Sequence, residues 1–393
     1  MDKTKSFFLW LLSVYLGNVP KYDIDIESVD WDDLLNLSML NSVQGIIYKT
    51  LTNLKIETPI DNKLKECCLA TASVAITQEY WGNRVIKIFN EYGIKHTLIK
   101  GFVIKDYYTA KEDRTFGDID ILITEEDREK SHNALTSIGF KREEYLSGKN
   151  VWTYIKGSVS LEIHTSIIYQ DLGRKFDYVN YFKEKAKNAE CIYGYTYELK
   201  KEDHLLYVLT HIAKHFGSVG VGIRMIMDIA VFYNKFVNEI NFEYIKHELR
   251  AINLYNFAQS MFYVCNKYFN TTIPCEISEL NCEDEVMCYI LNHGVFGTEN
   301  KDVAAIIYRK NGQDKLMKRI LANVFPDYEQ LKKSKVWFAE CPKYMLPYGW
   351  IRRLVEKLII KECRQNLSSR VKGVLLDSED VDIHKRITKA VGL

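Results

Sequence analysis

Residues Ile99–Ile123 read IKGFVIKDYYTAKEDRTFGDIDILI, and the end of this stretch decides the fold: Asp118 and Asp120 stand one isoleucine apart inside an apolar run. Successive side chains of a strand point to opposite faces, so Asp118 and Asp120 share one face while Ile119 and Ile121 point into a core. Neighbouring carboxylates repel, and hydration, hydrogen bonds or a cation must offset the repulsion. A hard divalent ion such as Mg²⁺ takes carboxylate oxygens together with phosphate oxygens. The pair reads as a metal and phosphate site on the edge of a sheet, the alternative being a solvated turn after Gly117.

Working outward, HTLIKG from His96 reads as a short strand ending at Lys100-Gly101, and FVIKDYY after it has the apolar spacing of a helix start. Glycine at such a turn lets backbone approach a ligand, and the free N–H groups of the new helix favour phosphate. Downstream, a helix is predicted over Glu125–Ile138, with an acidic first turn. VWTYIKGSVSLEIHTSI from Val151 reads as two strands around Gly157-Ser158, and alternation places Glu162 and His164 on one face. Pairing of that strand beside Asp120 would bring Glu162 within reach of the metal site. A last strand is expected near YGYTYEL from Tyr193.

This order of strand, glycine at a helix start, hDhDh strand (h apolar) and later carboxylate resembles the nucleotidyltransferases of the DNA polymerase β superfold. IKGFVIKDYY, Arg114 ahead of FGDIDILI, and LEIHTSI from Leu161 resemble a group of uncharacterised bacterial members with Lys-Gly where better-known members have Gly-Ser. The likeness continues through DHLLYVLTHIAKHF and IRMIMDIAVF to RILANVFP near residue 320. It implies an α+β fold, with a mixed-sheet polymerase β-like core between an N-terminal helical region and a C-terminal helical domain. It also implies Asp118 and Asp120 as the metal pair, Glu162 as third carboxylate, two Mg²⁺ or Mn²⁺ ions, and a nucleoside triphosphate substrate, ATP by default. Glu162 would bind the second ion or take the acceptor proton. The acceptor, a small molecule, protein or tRNA, is not specified. Two departures stand out: Phe102 replaces the usual serine, and the gap from Gly101 to Asp118 is long. Lys100 is read as replacing the lost phosphate contact or as a solvated strand-end lysine, and Arg114 as a triphosphate contact or a surface arginine. Phosphoryl transfer on the same site, or a silent nucleotide-sensing or partner-binding module, are the alternatives.

The flanks read as helices, 1–95 before the core of 96–200 and 201–393 after it, from three-and-four apolar spacing. In the helix from Lys201, His204, His211 and His215 fall within a narrow arc. His204 and His211 lie about 10 Å apart along the axis, too far to share one ion. Each is a ligand-facing or a structural histidine, and the resemblance favours His211 as a cleft residue near the nucleotide. Arg224 and Asp228, four apart, either pair with each other or line the cleft, where Arg224 would meet the nucleotide.

At 393 residues, with 47% apolar composition, the chain can bury a substantial core, and a net charge of +1 argues against a general DNA binder. Nine irregularly spaced cysteines fit reduced thiols in a cytoplasmic protein. FFLWLLSVYL from Phe7 is too short to span a bilayer and reads as a buried helix. WIRRLVEKLIIKECRQNLSSRVKG from Trp350 places Arg352, Arg353, Lys357, Lys361, Arg364, Arg370 and Lys372 around apolar residues, a solvated face or a surface for RNA, membrane or an acidic partner.

Overall fold

The computed structural model describes the chain except for residues 19–25, 145, 169–171, 173–175, 217–219, 295–324, 335, 339 and 360–377. Helix α1 (Lys3–Tyr15) begins at Asp2, whose carboxylate accepts from the Lys5 amide at 2.8 Å and from Lys5 Nζ at 2.6 Å. Its apolar run is buried, Phe7, Phe8, Leu11 and Leu12 having no exposed surface. Helices α2 (Trp31–Leu40), α3 (Gln44–Leu54) and the long α4 (Asp61–Glu91) follow. Val85 and Phe89 of α4 reach the apolar core on one face of the sheet, and a Cβ on Gly82 would lie 2.3 Å from the Phe102 ring.

Among the described residues seven strands form one mixed sheet: β1 (His96–Leu98), β2 (Asp118–Ile123), β3 (Lys141–Arg142), β4 (Val151–Lys156), β5 (Val159–His164), β6 (Glu190–Tyr193) and β7 (Thr196–Glu198). Their order is β3-β4-β5-β2-β1-β7-β6. The aspartate strand therefore lies at the centre of the sheet, not on its edge, between antiparallel β1 and parallel β5. A strand on either side and packing over the sheet bury β2 from Ile119 to Ile123, Asp120 included. Ile119 and Ile121 are fully buried, as alternation requires.

Two other elements differ from expectation. Glycine at 194 turns the last strand back on itself, so YGYTYEL is split between β6 and β7. Helix α6 spans Arg128–Ser137, and the acidic residues Glu125 and Glu126 precede it. After α7 (Tyr178–Lys187), helices α8 (Lys201–Phe216), α9 (Ile223–Phe236), α10 (Phe242–Ala251), α11 (Tyr255–Phe269) and α12 (Glu283–His293) share an apolar core with α1 to α3. Among the described residues, no helix is long and apolar enough to cross a membrane. The eight described cysteines are free thiols. Of the basic stretch near the C-terminus, helix Leu346–Ile359 is described and the Arg352 guanidinium lies 4.3 Å over the Trp337 ring. The side chain of Lys357 and all of Lys361, Arg364, Arg370 and Lys372 lie outside the described residues.

Candidate active site

The register of the two central strands builds the site. Asp120 stands opposite Glu162 and Asp118 opposite Ser160, so the parallel pairing of β2 with β5 carries all three carboxylates to one cavity. That cavity, about 340 Å³, lies between the sheet and the helices α8 and α9. The loop leading into β2 is held by Gln78 of α4, whose Nε2 donates to Phe116 O at 2.9 Å.

Lys100 is not a solvated strand-end lysine: it is half-buried at the cavity and paired. Its Nζ donates to Asp120 Oδ1 at 2.5 Å, from a backbone at φ 57° and ψ −134° that L-residues rarely adopt. Burial disfavours the ammonium, but Asp120, Tyr207 and Glu162 together outweigh burial and raise Lys100 above its ordinary range. Burial likewise opposes the Asp120 charge, and Lys100 and His164 together overcome it, holding that carboxyl at about 2. Asp118 moves the other way. Burial raises it and so do Glu162 and Asp120, against a hydrogen bond from Ser160.

Helix α5 (Gly101–Ile104) is a single turn, so the phosphate preference expected of its N-terminus has little dipole behind it. Gly101 has a different use: a Cβ there would lie 2.3 Å from Arg114 Nη1 and 2.9 Å from Phe116 Cβ. Phe102, in place of the serine, is 5% exposed and belongs to the sheet core.

Arg114 is not on the surface. It grips Asp228 with two donors, Nη2 to Oδ2 at 2.7 Å and Nε to Oδ1 at 3.2 Å, and Tyr108 donates to the same carboxylate at 2.8 Å. Asp228 thus pairs with Arg114 and not with Arg224, although both line the cavity. Arg224 is 5% exposed, donates from Nη1 to the Thr115 hydroxyl, and has no partner at Nε. Burial, and next Arg114, push its pKa down to about 9.

The three histidines of α8 separate. His211 and His215 line the cavity with ring centroids 4.3 Å apart. Burial, then the Lys214 and Lys100 charges, push His215 down to about 3, and burial and His215 hold His211 well below its ordinary range. His204 is tucked between the Tyr107 and Phe232 rings and is structural.

A family model described as uncharacterised nucleotidyltransferase matches residues 27–270. The chain belongs to this nucleotidyltransferase family. The match contains every site residue named above and ends before RILANVFP, which lies largely outside the described residues. No curated protein and no solved structure matches the chain significantly.

For this nucleotidyltransferase, sequence reasoning gave no role to His164, Tyr207, Lys214 or Thr115. His164 Nε2 lies 2.8 Å from Asp120 Oδ1 and 3.2 Å from Glu162 Oε2. Its two-residue spacing from Glu162 was the available signal. Tyr207 and Lys214 flank His211 on the same helix and line the cavity with it. Thr115 enters through its hydroxyl, which accepts from Arg224 across 109 positions, a contact that no local pattern announces.

Divalent ions fit this donor set. Three carboxylates converge, Asp118 is raised by burial and by the neighbouring Glu162 and Asp120 charges, and Asp120 already accepts from the Lys100 ammonium where a cation is favoured. Among the described residues, Asp120, Glu162 and His164 form one group of metal-type ligands, their donor atoms within 4.8 Å of one another.

Proposed function

We propose that the chain transfers a nucleoside monophosphate from a triphosphate, ATP by default, to an acceptor hydroxyl with release of pyrophosphate. The observation that carries this reading is the register of β2 with β5, which puts Asp120 beside Glu162 at the floor of a cavity walled by cationic side chains. Asp118, Asp120 and Glu162 are the residues that would hold Mg²⁺ or Mn²⁺, two ions in all. Such ions, when bound, supply positive charge to the attacking and leaving oxygens.

The chain's own groups supply the rest. Arg224 is a buried guanidinium without a carboxylate of its own, since Asp228 is committed to Arg114 and Tyr108. A cation in that state favours an anion in the cavity, and the triphosphate tail provides one. Lys100, which donates to Asp120 in this structure, would be free to meet the phosphates once an ion neutralised that carboxylate. His211 lies against the nucleotide as a neutral imidazole. The acceptor oxygen forms its bond to the α-phosphorus as the bond to the bridging oxygen breaks. The acceptor proton passes to Glu162 where that carboxylate is not an ion ligand and otherwise to water, and the electron pair leaves on pyrophosphate.

The test is transfer of α-labelled phosphate from each of the four triphosphates, with Mg²⁺ or Mn²⁺ and a lysate of the source organism. Label on a protein, RNA or metabolite that vanishes in the Asp118→Asn/Asp120→Asn variant supports the reading and names the acceptor class. Equal label with wild type and variant refutes it.

A further inference from the structure

We propose that His164 is a nitrogen ligand of the metal centre and makes it select first-row transition ions over Mg²⁺. The inference rests on the metal-dependent reading above and deepens it.

Distances carry the argument. Two donors bound at right angles about 2.1 Å from one octahedral ion lie about 3.0 Å apart. His164 Nε2 lies 2.8 Å from Asp120 Oδ1 and 3.2 Å from Glu162 Oε2, values that bracket this spacing. These three atoms belong to side chains from two adjacent strands, so the sheet itself sets their separation. Asp120 opposes Glu162 in register, and His164 follows two residues along β5 on the same face. The imidazole side chain is 1% exposed, so it is not a surface group that meets the carboxylates by chance.

Chemistry then sets the preference. Mg²⁺ favours oxygen donors and keeps much of its water, so an imidazole adds little for it. Later first-row ions take imidazole readily, in an order that rises from Mn²⁺. A preference for Mn²⁺ over Mg²⁺ is therefore the least the proposal requires. The competing reading is a histidine that only donates a hydrogen bond to Asp120 and orients it.

Mn²⁺ and Mg²⁺ binding to the full chain, with and without α,β-methylene ATP, separates the two, with pulsed EPR on the Mn²⁺ complex. The expected result is a ¹⁴N coupling from a directly bound imidazole and at least about tenfold tighter binding of Mn²⁺ than of Mg²⁺. Loss of even a group that only orients a ligand lowers affinity by about 10–100-fold, so His164→Asn should abolish the coupling and weaken Mn²⁺ at least tenfold. Mn²⁺ bound to wild type without nitrogen coupling, or equal affinities for the two ions, overturns the proposal and leaves nucleotidyl transfer standing. Should His164→Asn fail to fold, the wild-type coupling decides alone. Asp120→Asn serves as the other control: both ions still bound in that variant would remove the metal centre itself, and the proposed function with it.

Discussion

Arg224 shows how stability and binding oppose each other at a single residue. Its guanidinium is buried beside Arg114 and pairs directly with no carboxylate among the described residues, Asp228 easing its charge only from a distance. Arg224→Leu should raise the melting temperature of the ligand-free protein. It should also weaken triphosphate binding by about 10–100-fold, the worth of one charged hydrogen bond of about 1.5–3 kcal/mol. Calorimetry and a melt on the same preparation check both, and a variant that melts lower with binding intact would contradict the anion role. Gly101→Ala tests a steric statement. The added methyl must displace the Arg114 guanidinium or Phe116, and the variant should lose about 1–3 kcal/mol in denaturant unfolding. The carboxylates were legible in the sequence because period two is local, and so, in hindsight, was His164. The partner of Arg114 was not. Asp228 lies 114 residues away, and the spacing of Arg224 from Asp228 on one helix pointed to a pair that tertiary packing did not make.

Between elements, the loop that delivers Asp118 is held from several sides. Lys49 of α3 donates to Asp113 at 2.6 Å, Tyr15 of α1 donates to the same carboxylate at 2.9 Å, and Arg114 joins the loop to α9. Breaking the buried Arg114–Asp228 pair from one side leaves a charge stranded, and Asp228→Ala should cost about 3–5 kcal/mol. Replacing both partners, as in Arg114→Met/Asp228→Leu, should restore most of that loss, and a double-mutant cycle in urea would show it. Near additivity would mean that the pair does not hold the loop. The elements themselves were largely readable. The helical flanks, the Gly157 hairpin and the β1-turn-helix order follow from periodicity and glycine placement. The central place of β2 does not, because strand order depends on pairings between distant segments. The helix start at FVIKDYY was readable, but its length was not: α5 ends at Ile104 and a single 3₁₀ turn over Lys105–Tyr107 takes up the rest of the apolar spacing.

At the scale of the molecule, two helical groups and a sheet enclose a cavity lined by charged side chains, and the buried histidines of α8 make folding sensitive to acid. Burial pushes His204 down to about 4, and His215 sits at about 3, against an unfolded value of 6.5. The unfolded chain therefore binds more protons between those values, so this stability is present above pH 6.5 and is lost as pH falls toward 4. The melting temperature should drop over that window, and His204→Leu should flatten the slope by up to about 1.4 kcal/mol per pH unit. An unchanged slope would mean that His204 is protonated in the fold. Whether the α-phosphorus is attacked at a centre built on Asp118 and Asp120 is decided by following α- and γ-labelled ATP in parallel with the source lysate. Attack at the α-phosphorus places α-label on an acceptor and γ-label in pyrophosphate, with loss of both in the Asp118→Asn/Asp120→Asn variant. Aspartate-dependent γ-label on the acceptor, with nucleoside diphosphate released, would contradict it.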